Sequence, residues 1–213
     1  MIRAFLEHHL DRARRGQFHN AIGDCHVKGL HSLVLNEEPG NRIRMFYASQ
    51  FHHLAWGERG NQPMPLAIHT HHCDVTLVGI FGTAASLEYQ LGGEGGVDLF
   101  KCRFDSAITG AGALVSRGTH RHLWMTRRVV LNHGASAAMR ADVLHTVIVP
   151  ERQAAAWLVI EGAEDPDFVS VCYTNRPIWD PSQLYRKPIQ SEVESWLRDA
   201  IAGLLAETKA VAP

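Results

Sequence analysis

Apolar positions recur at helical spacing at the two ends of the chain and at strand spacing between them. Ile2, Phe5, Leu6, Leu10 and Ala13 keep close to the 3.6-residue period and stop at Gly16, which predicts a short helix over 1–16. Val193, Trp196, Leu197, Ala200, Ile201, Leu204 and Leu205 fall on one face of a second helix over 191–207. Such a stripe packs on the outside of a sheet or on a partner subunit. Ser191-Glu192-Val193-Glu194 at its start reads as a capping box, with Ser191 bonding the Glu194 amide and Glu194 reaching back.

Residues 30–36 read as a strand closed by the turn signal Glu37-Glu38-Pro39-Gly40-Asn41, and residues 42–48 alternate and pair with it as a hairpin. A loop bearing Gly and Pro follows at 57–65. Strand-like runs then recur at 66–71, 75–82, 86–89, 99–103, 120–125, 128–131, 137–140, 145–149, 156–160 and 169–173. Gly-rich breaks at 92–96 and 110–112 separate some of them. Many short strands with turn punctuation predict a mainly β sandwich or barrel over 30–175, inside a single domain 1–213. Residues 173–181 are polar, aromatic and proline-stiffened, and read as a linker to the last helix rather than a lid.

Composition narrows the function classes. With 46% apolar residues the chain can build a core. Its 21 basic and 22 acidic side chains give a formal net charge of -1, which argues against a dedicated nucleic-acid binder. No apolar run approaches the ~18 residues of a membrane span, and the N-terminus has no apolar signal region. Cys25, Cys73, Cys102 and Cys172 are scattered without a CxxC, so a cytoplasmic protein with reduced thiols is expected. No Gly-rich loop joins a strand to a helix, and no GxSxG occurs. Nucleotide-cradling and acyl-transfer chemistry therefore lack support.

Histidine is the one residue type out of proportion, at 14. It clusters as His52-His53, His69-x-His71-His72 and His120-x-His122. On a strand, positions two apart share a face, so His69 and His71 project side by side while His72 points away. Two imidazoles on one inward face can hold one metal ion, and a further ligand must come from elsewhere in the chain. His120 and His122 form a second such pair, read first as a solvated strand. Arg42 and Arg44 share a strand face, and from the interior one of them can hold a substrate carboxylate bidentately. Tyr47 stands at an apolar-to-polar boundary and can position a substrate. Cys73 reads as a small buried thiol, and Tyr89, Trp124 and Trp157 as core aromatics.

HxH on a strand, followed by the apolar run Val75 to Phe81 ending in Gly82, resembles the first motif of the cupin superfamily. The turn Gly134-Ala135-Ser136, the short strand after it and His145 resemble the second motif. Trp157-Leu158-Val159-Ile160-Glu161-Gly162 resembles the strand that follows. The resemblance covers roughly residues 66–162, with 30–48 as an added N-terminal sheet. It implies a cupin double-stranded β-helix, or jelly-roll barrel, with His145 completing the metal site. The sequence departs from the motifs where Val75 and Thr76 occupy the usual Glu position, and where Arg140-Ala141-Asp142 replaces PxG. It also carries a Gly-rich insertion near 92–112. Asp74 can supply the missing carboxylate if the strand bulges. Alternatively His69, His71 and His145 form a site of three neutral ligands, similar to the cysteine-dioxygenase-like cupins, with Asp74 orienting an imidazole N–H. The three-His reading implies a divalent metal, Fe(II) first with Mn, Ni and Zn as alternatives. It implies an oxygenase taking a small polar substrate and dioxygen. A metal-dependent isomerase or lyase and a non-catalytic small-ligand binder are the other readings. Cupins commonly pair as homodimers, and the stripe on the last helix offers a surface for that.

Overall fold

The computed structural model describes residues 1–25, 29–38, 40–50, 68–92, 100–103, 114–116, 123–150, 152–165, 167, 171–174 and 186–211. Helix α1 (Ile2–Arg14) is followed by strands β1 (His19–Ile22), β2 (Leu30–Glu38), β3 (Asn41–Ala48), β4 (Ile68–His69), β5 (Val75–Phe81), β6 (Ala84–Leu91), β7 (Phe100–Arg103), β8 (Leu114–Ser116), β9 (Leu123–Leu131), β10 (Ser136–Met139), β11 (Leu144–Ile148), β12 (Ala155–Glu161) and β13 (Cys172–Thr174). Helix α2 (Gln190–Val211) closes the described chain.

The strands form two antiparallel sheets. One runs β1-β2-β3-β12-β5-β10 and the other β8-β7-β13-β4-β11-β6-β9. Numbering β3, β4, β5, β6, β9, β10, β11 and β12 as one to eight makes the central orders 1-8-3-6 and 2-7-4-5. This is two interlocked Greek keys, a jelly roll, and so the expected architecture holds. β1 and β2 extend the first sheet, as the 30–48 hairpin predicts, and β13, β7 and β8 extend the second.

Alternation along the strands makes two large cores and a small third cluster of Ala85, Leu87 and Ile148. Trp157 and Val159 of β12, Val75 and Leu77 of β5, and Ala137 and Met139 of β10 point between the sheets, against Ala84, Leu131 and Val149. Trp157 is 3% exposed and its ring stacks on Phe46 at 5.7 Å. The intervening residues, among them Ala156, Leu158, Met45 and Tyr47, face outward against Leu6, Leu10 and Ala13 of α1 and Val193, Trp196, Leu197, Ala200 and Leu204 of α2. The apolar stripe of α2 is therefore covered by the protein's own sheet and not offered to a partner. Each Leu, Val or Met side chain fully buried in this way stabilises the fold by about 1.5–3 kcal/mol. Among the described residues, no helix is long and apolar enough to cross a membrane.

Some boundaries differ from the sequence reading. The runs at 120–125 and 128–131 belong to one strand from Leu123, and β1 and β8 are additional. Helix α2 begins one residue before the expected cap. Its reciprocal bond is made by Glu192, whose Oε2 accepts from the Ile189 amide at 3.0 Å. Arg186 then holds Glu192 with two bonds of 2.8 and 2.6 Å and donates to Asp24 at 2.8 Å, which recruits Glu192 rather than Glu194 to the cap. Glu194 pairs instead with Gln190 and Arg198. Trp124 is exposed rather than core, at 59%. Cys102 and Cys172, far apart in sequence, are register partners across β7 and β13. His52, His53, His120 and His122 and most of 173–181 lie outside the described residues.

Gly79 is sterically required. A Cβ at Gly79 would come within 2.1 Å of the Asn132 carbonyl oxygen, where the 132–135 turn crosses β5. Gly79 also donates to Ala135 O at 2.9 Å and accepts from Gly134 at 3.0 Å, so neither strand nor turn can withdraw. Gly79→Ala is expected to destabilise the fold by about 1–3 kcal/mol, the range for overpacking a close-packed site. Urea unfolding measures it, and an unchanged midpoint would contradict this crossing.

Candidate metal centre

Two neighbouring strands of the second sheet and the loop after one of them bring three imidazoles together. In register, His145 on β11 is the partner of His69 on β4, and directly opposed residues of antiparallel strands share a face. That face is the interior, because Val147 and Val149, at alternate positions beyond His145, pack in the inter-sheet core. His71 comes from the segment just after β4. The Thr70 amide donates to Val171 O at 2.9 Å and the Val171 amide donates to Thr70 Oγ1 at 2.9 Å, which stitches this segment to the chain before β13. The His71 amide donates to Ala141 O at 3.0 Å, which ties it to the turn before β11.

One ring nitrogen from each of His69, His71 and His145 lies within 4.8 Å of the others. The ring centroids are 4.9, 4.8 and 4.9 Å apart. His71 Nε2 and His145 Nε2 are separated by 2.7 Å. That is a hydrogen-bonding distance, a little inside the separation of about 2.9 Å that two nitrogens bound at right angles to one ion at about 2.0–2.1 Å would have. The donor set therefore fits a divalent transition metal. His145 is 2% exposed, and His69 and His71 are half-buried. Ser86 Oγ stands 3.4 Å from His145 Nδ1 and can fix the tautomer that presents Nε2. Nothing in the sequence singles out Ser86, because only the β6–β11 register brings it there.

The remaining candidates are placed elsewhere. Asp74 is exposed, and its Oδ1 accepts from the Ala141 amide at 2.8 Å, outside the imidazole group. It neither ligates nor orients a ring N–H. It braces the turn whose carbonyl accepts from His71. Tyr47 lies on the outer face of β3, where its hydroxyl donates to Asp199 Oδ2 of α2 at 2.8 Å. Burial and that carboxylate both push its phenol up. Tyr47 therefore belongs to the helix–sheet core and does not line the chamber.

Arg44, two residues before Phe46, shares that residue's inner face. Its Nε lies 2.7 Å from Glu161 Oε1, but with no aligned N–H···O geometry, so the contact is an ion pair rather than a hydrogen bond. Arg42 pairs with Glu37, Glu161 and Glu164 at 3.1, 3.1 and 2.9 Å. Cys73 is buried, and burial with nearby Glu161 and Glu164 pushes its thiol up to about 11, so it carries no thiolate at neutral pH. His72 is exposed and lies outside the group.

No protein-family model matches the chain, and no curated protein matches it. Solved structures similar to it include hydroquinone 1,2-dioxygenase from Sphingomonas sp. TTNP3 with 4-hydroxybenzoate bound, at 14% identity and a TM-score of 0.33, covering 62% of this chain and 65% of that one. Another is the hydroxypropylphosphonic acid epoxidase from S. wedmorenis, at 11% identity and a TM-score of 0.35, covering 67% and 54%. A third is a sugar phosphate isomerase of the cupin superfamily from Silicibacter pomeroyi, at 13% identity and a TM-score of 0.34, covering 65% and 61%. The similarity thus spans somewhat over half of each of those chains. The jelly-roll assignment rests on the strand order itself.

Proposed function

We propose that this jelly roll is a metal-dependent cupin oxygenase, in which His69, His71 and His145 hold a divalent ion, Fe(II) first, and a small polar substrate is oxidised by dioxygen. The observation that supports it is the convergence of three imidazoles, from two strands and a loop, inside a barrel. When bound, the iron supplies the electron transfer that ordinary side chains cannot. The chain's own part is position and environment. Three neutral ligands leave the ion's charge uncompensated, which favours a substrate that binds through an oxygen or sulfur donor. The inter-sheet core around Val147, Val149 and Trp157 keeps bulk water from that side of the chamber. Arg44 is the candidate for contact with a substrate anion, provided it leaves Glu161. Tyr47 and Asp74 take no part.

The test is an oxygen electrode on protein loaded anaerobically with Fe(II), screened against small thiols, hydroxy acids and phenols. Substrate-dependent oxygen uptake that vanishes on chelation is expected. Turnover without oxygen uptake would assign the same residues to an isomerase or lyase, in which the ion acts as a Lewis acid.

A further inference from the structure

The row of register partners that joins His69 to His145 does not stop there. His145 is opposite Glu88 on β6, and Glu88 is opposite Arg127 on β9. Direct partners share a face, so Glu88 stands on the interior face one strand beyond His145. Ser86 agrees with this, since it lies two positions earlier on β6 and already meets His145 Nδ1. The Glu88 side chain is 13% exposed, while that of Arg127 is 55% exposed at the rim. Arg127 Nη1 contacts Glu88 Oε1 at 3.1 Å. The Thr126 hydroxyl donates to the Glu88 carbonyl at 3.3 Å, which fixes the two strands at this point.

A carboxylate in a barrel interior is costly to bury unless paired. Here the partner sits at the rim and engages one oxygen, Oε1. The carboxylate is outside the close imidazole group, so it is not gathered round the same point as the three rings. Its backbone is one strand spacing from that of His145, about 4.8 Å. A molecule of a few heavy atoms bound at the imidazoles is long enough to span that spacing. The interior wall next to the candidate metal is thus an acceptor, and it matches a donor on the substrate.

We propose that Glu88 is a specificity-determining residue, accepting a hydrogen bond from a hydroxyl or ammonium group of the substrate, and that Arg127 is a positioning residue that holds it turned along the sheet. The substrate class is then a small molecule with a metal-binding donor atom and a hydroxyl or ammonium a few atoms away. This rests on the reading of the three histidines as a metal site.

The test compares glycolate with methoxyacetate, which share a carboxylate but differ in the hydroxyl proton. Their affinities are measured by calorimetry on Co(II)-loaded protein and by ligand-observed NMR on chelator-treated protein. Wild type is expected to favour glycolate by at least tenfold. Glu88→Met, which removes the acceptor at similar size, is expected to bring the ratio near one with Co(II) stoichiometry unchanged, and Glu88→Gln, whose amide oxygen still accepts, to keep part of it. Arg127→Gln, a substitution at an exposed side chain, is expected to reduce the ratio severalfold at an unchanged melting temperature. Equal affinities in wild type, or an undiminished ratio in Glu88→Met, overturn the proposal. Loss of Co(II) from Glu88→Gln also overturns it, by making Glu88 a ligand. If wild type takes up no Co(II), the metal reading fails, and the ratio in metal-free protein decides the role of Glu88 by itself.

Discussion

His71→Ala is expected to abolish the stabilisation that a divalent metal confers on this protein. At a free metal concentration 100 times Kd, binding to the native state alone raises stability by about 2.7 kcal/mol. For a chain of this size that is a rise in melting temperature of roughly 5–11 °C. His71 is the cleanest of the three positions, because it is half-buried and lies outside the strands. His145 is 2% exposed within β11, so replacing it would also unsettle the interior. Thermal unfolding with Fe(II) or Co(II) under argon, against unfolding in chelator, reads the effect, and metal analysis of the dialysed protein gives the stoichiometry. Asp74→Ala serves as the contrast. It loses the acceptor for the Ala141 amide and is expected to weaken the fold slightly while keeping the metal-induced shift. Equal shifts in wild type and His71→Ala would remove the three-imidazole site from consideration.

Acidification from pH 6.5 to about 4 is expected to destabilise the metal-free protein by several kcal/mol, through two histidines remote from that site. His31 is 7% exposed, with its ring stacked on Trp196 at 4.4 Å and its Nδ1 accepting from the Asp24 amide at 3.3 Å. Burial pulls its pKa down to about 4, against a weaker upward pull from Asp24. His9, 8% exposed on the inner side of α1, is likewise lowered to about 4, by burial and then by Arg12 and His8. The sign follows from linkage. A histidine depressed in the folded state stabilises the fold while it is neutral in both states, above its unfolded pKa near 6.5. That contribution is lost as pH falls, because the unfolded chain takes up the proton first. Each site contributes on the order of 2–3 kcal/mol over this window. Asp24 and Glu192 are held below their usual carboxylate values, so their losses come at lower pH. Urea midpoints at pH 7.5, 6 and 5 in the presence of chelator give the slope. His31→Phe, which keeps an aromatic ring against Trp196, is expected to roughly halve it. A slope unchanged in a His9→Leu, His31→Phe double variant would place the titration elsewhere.

Much of the architecture can be read from the sequence because periodicity is local. Both helices, the 30–48 hairpin and most strands follow from apolar spacing and turn residues. The cap of α2 does not, since Arg186 and Asp24 decide which glutamate closes it, and Asp24 lies 162 positions away. The split of 120–131 into two runs misses a strand whose pattern is blurred by exposure on its outer residues. Tyr47 was legible as a boundary residue but not by face. Alternation along β3 leaves open which side meets the helices, and only the packed α1–α2 layer selects it.

The sequence by itself determined that this chain is mainly β with a helix at either end, and that His69 and His71 stand two positions apart, although β4 ends at His69 and His71 follows it in a loop. Strand period and helix period are properties of neighbours in the chain. The family resemblance already named His145 as the third imidazole; tertiary structure alone decided that Ser86 and Glu88 stand beside it, and that Asp74 and Tyr47 do not. Register between strands is set by how whole sheets bury their apolar faces, and each of those placements is a consequence of register.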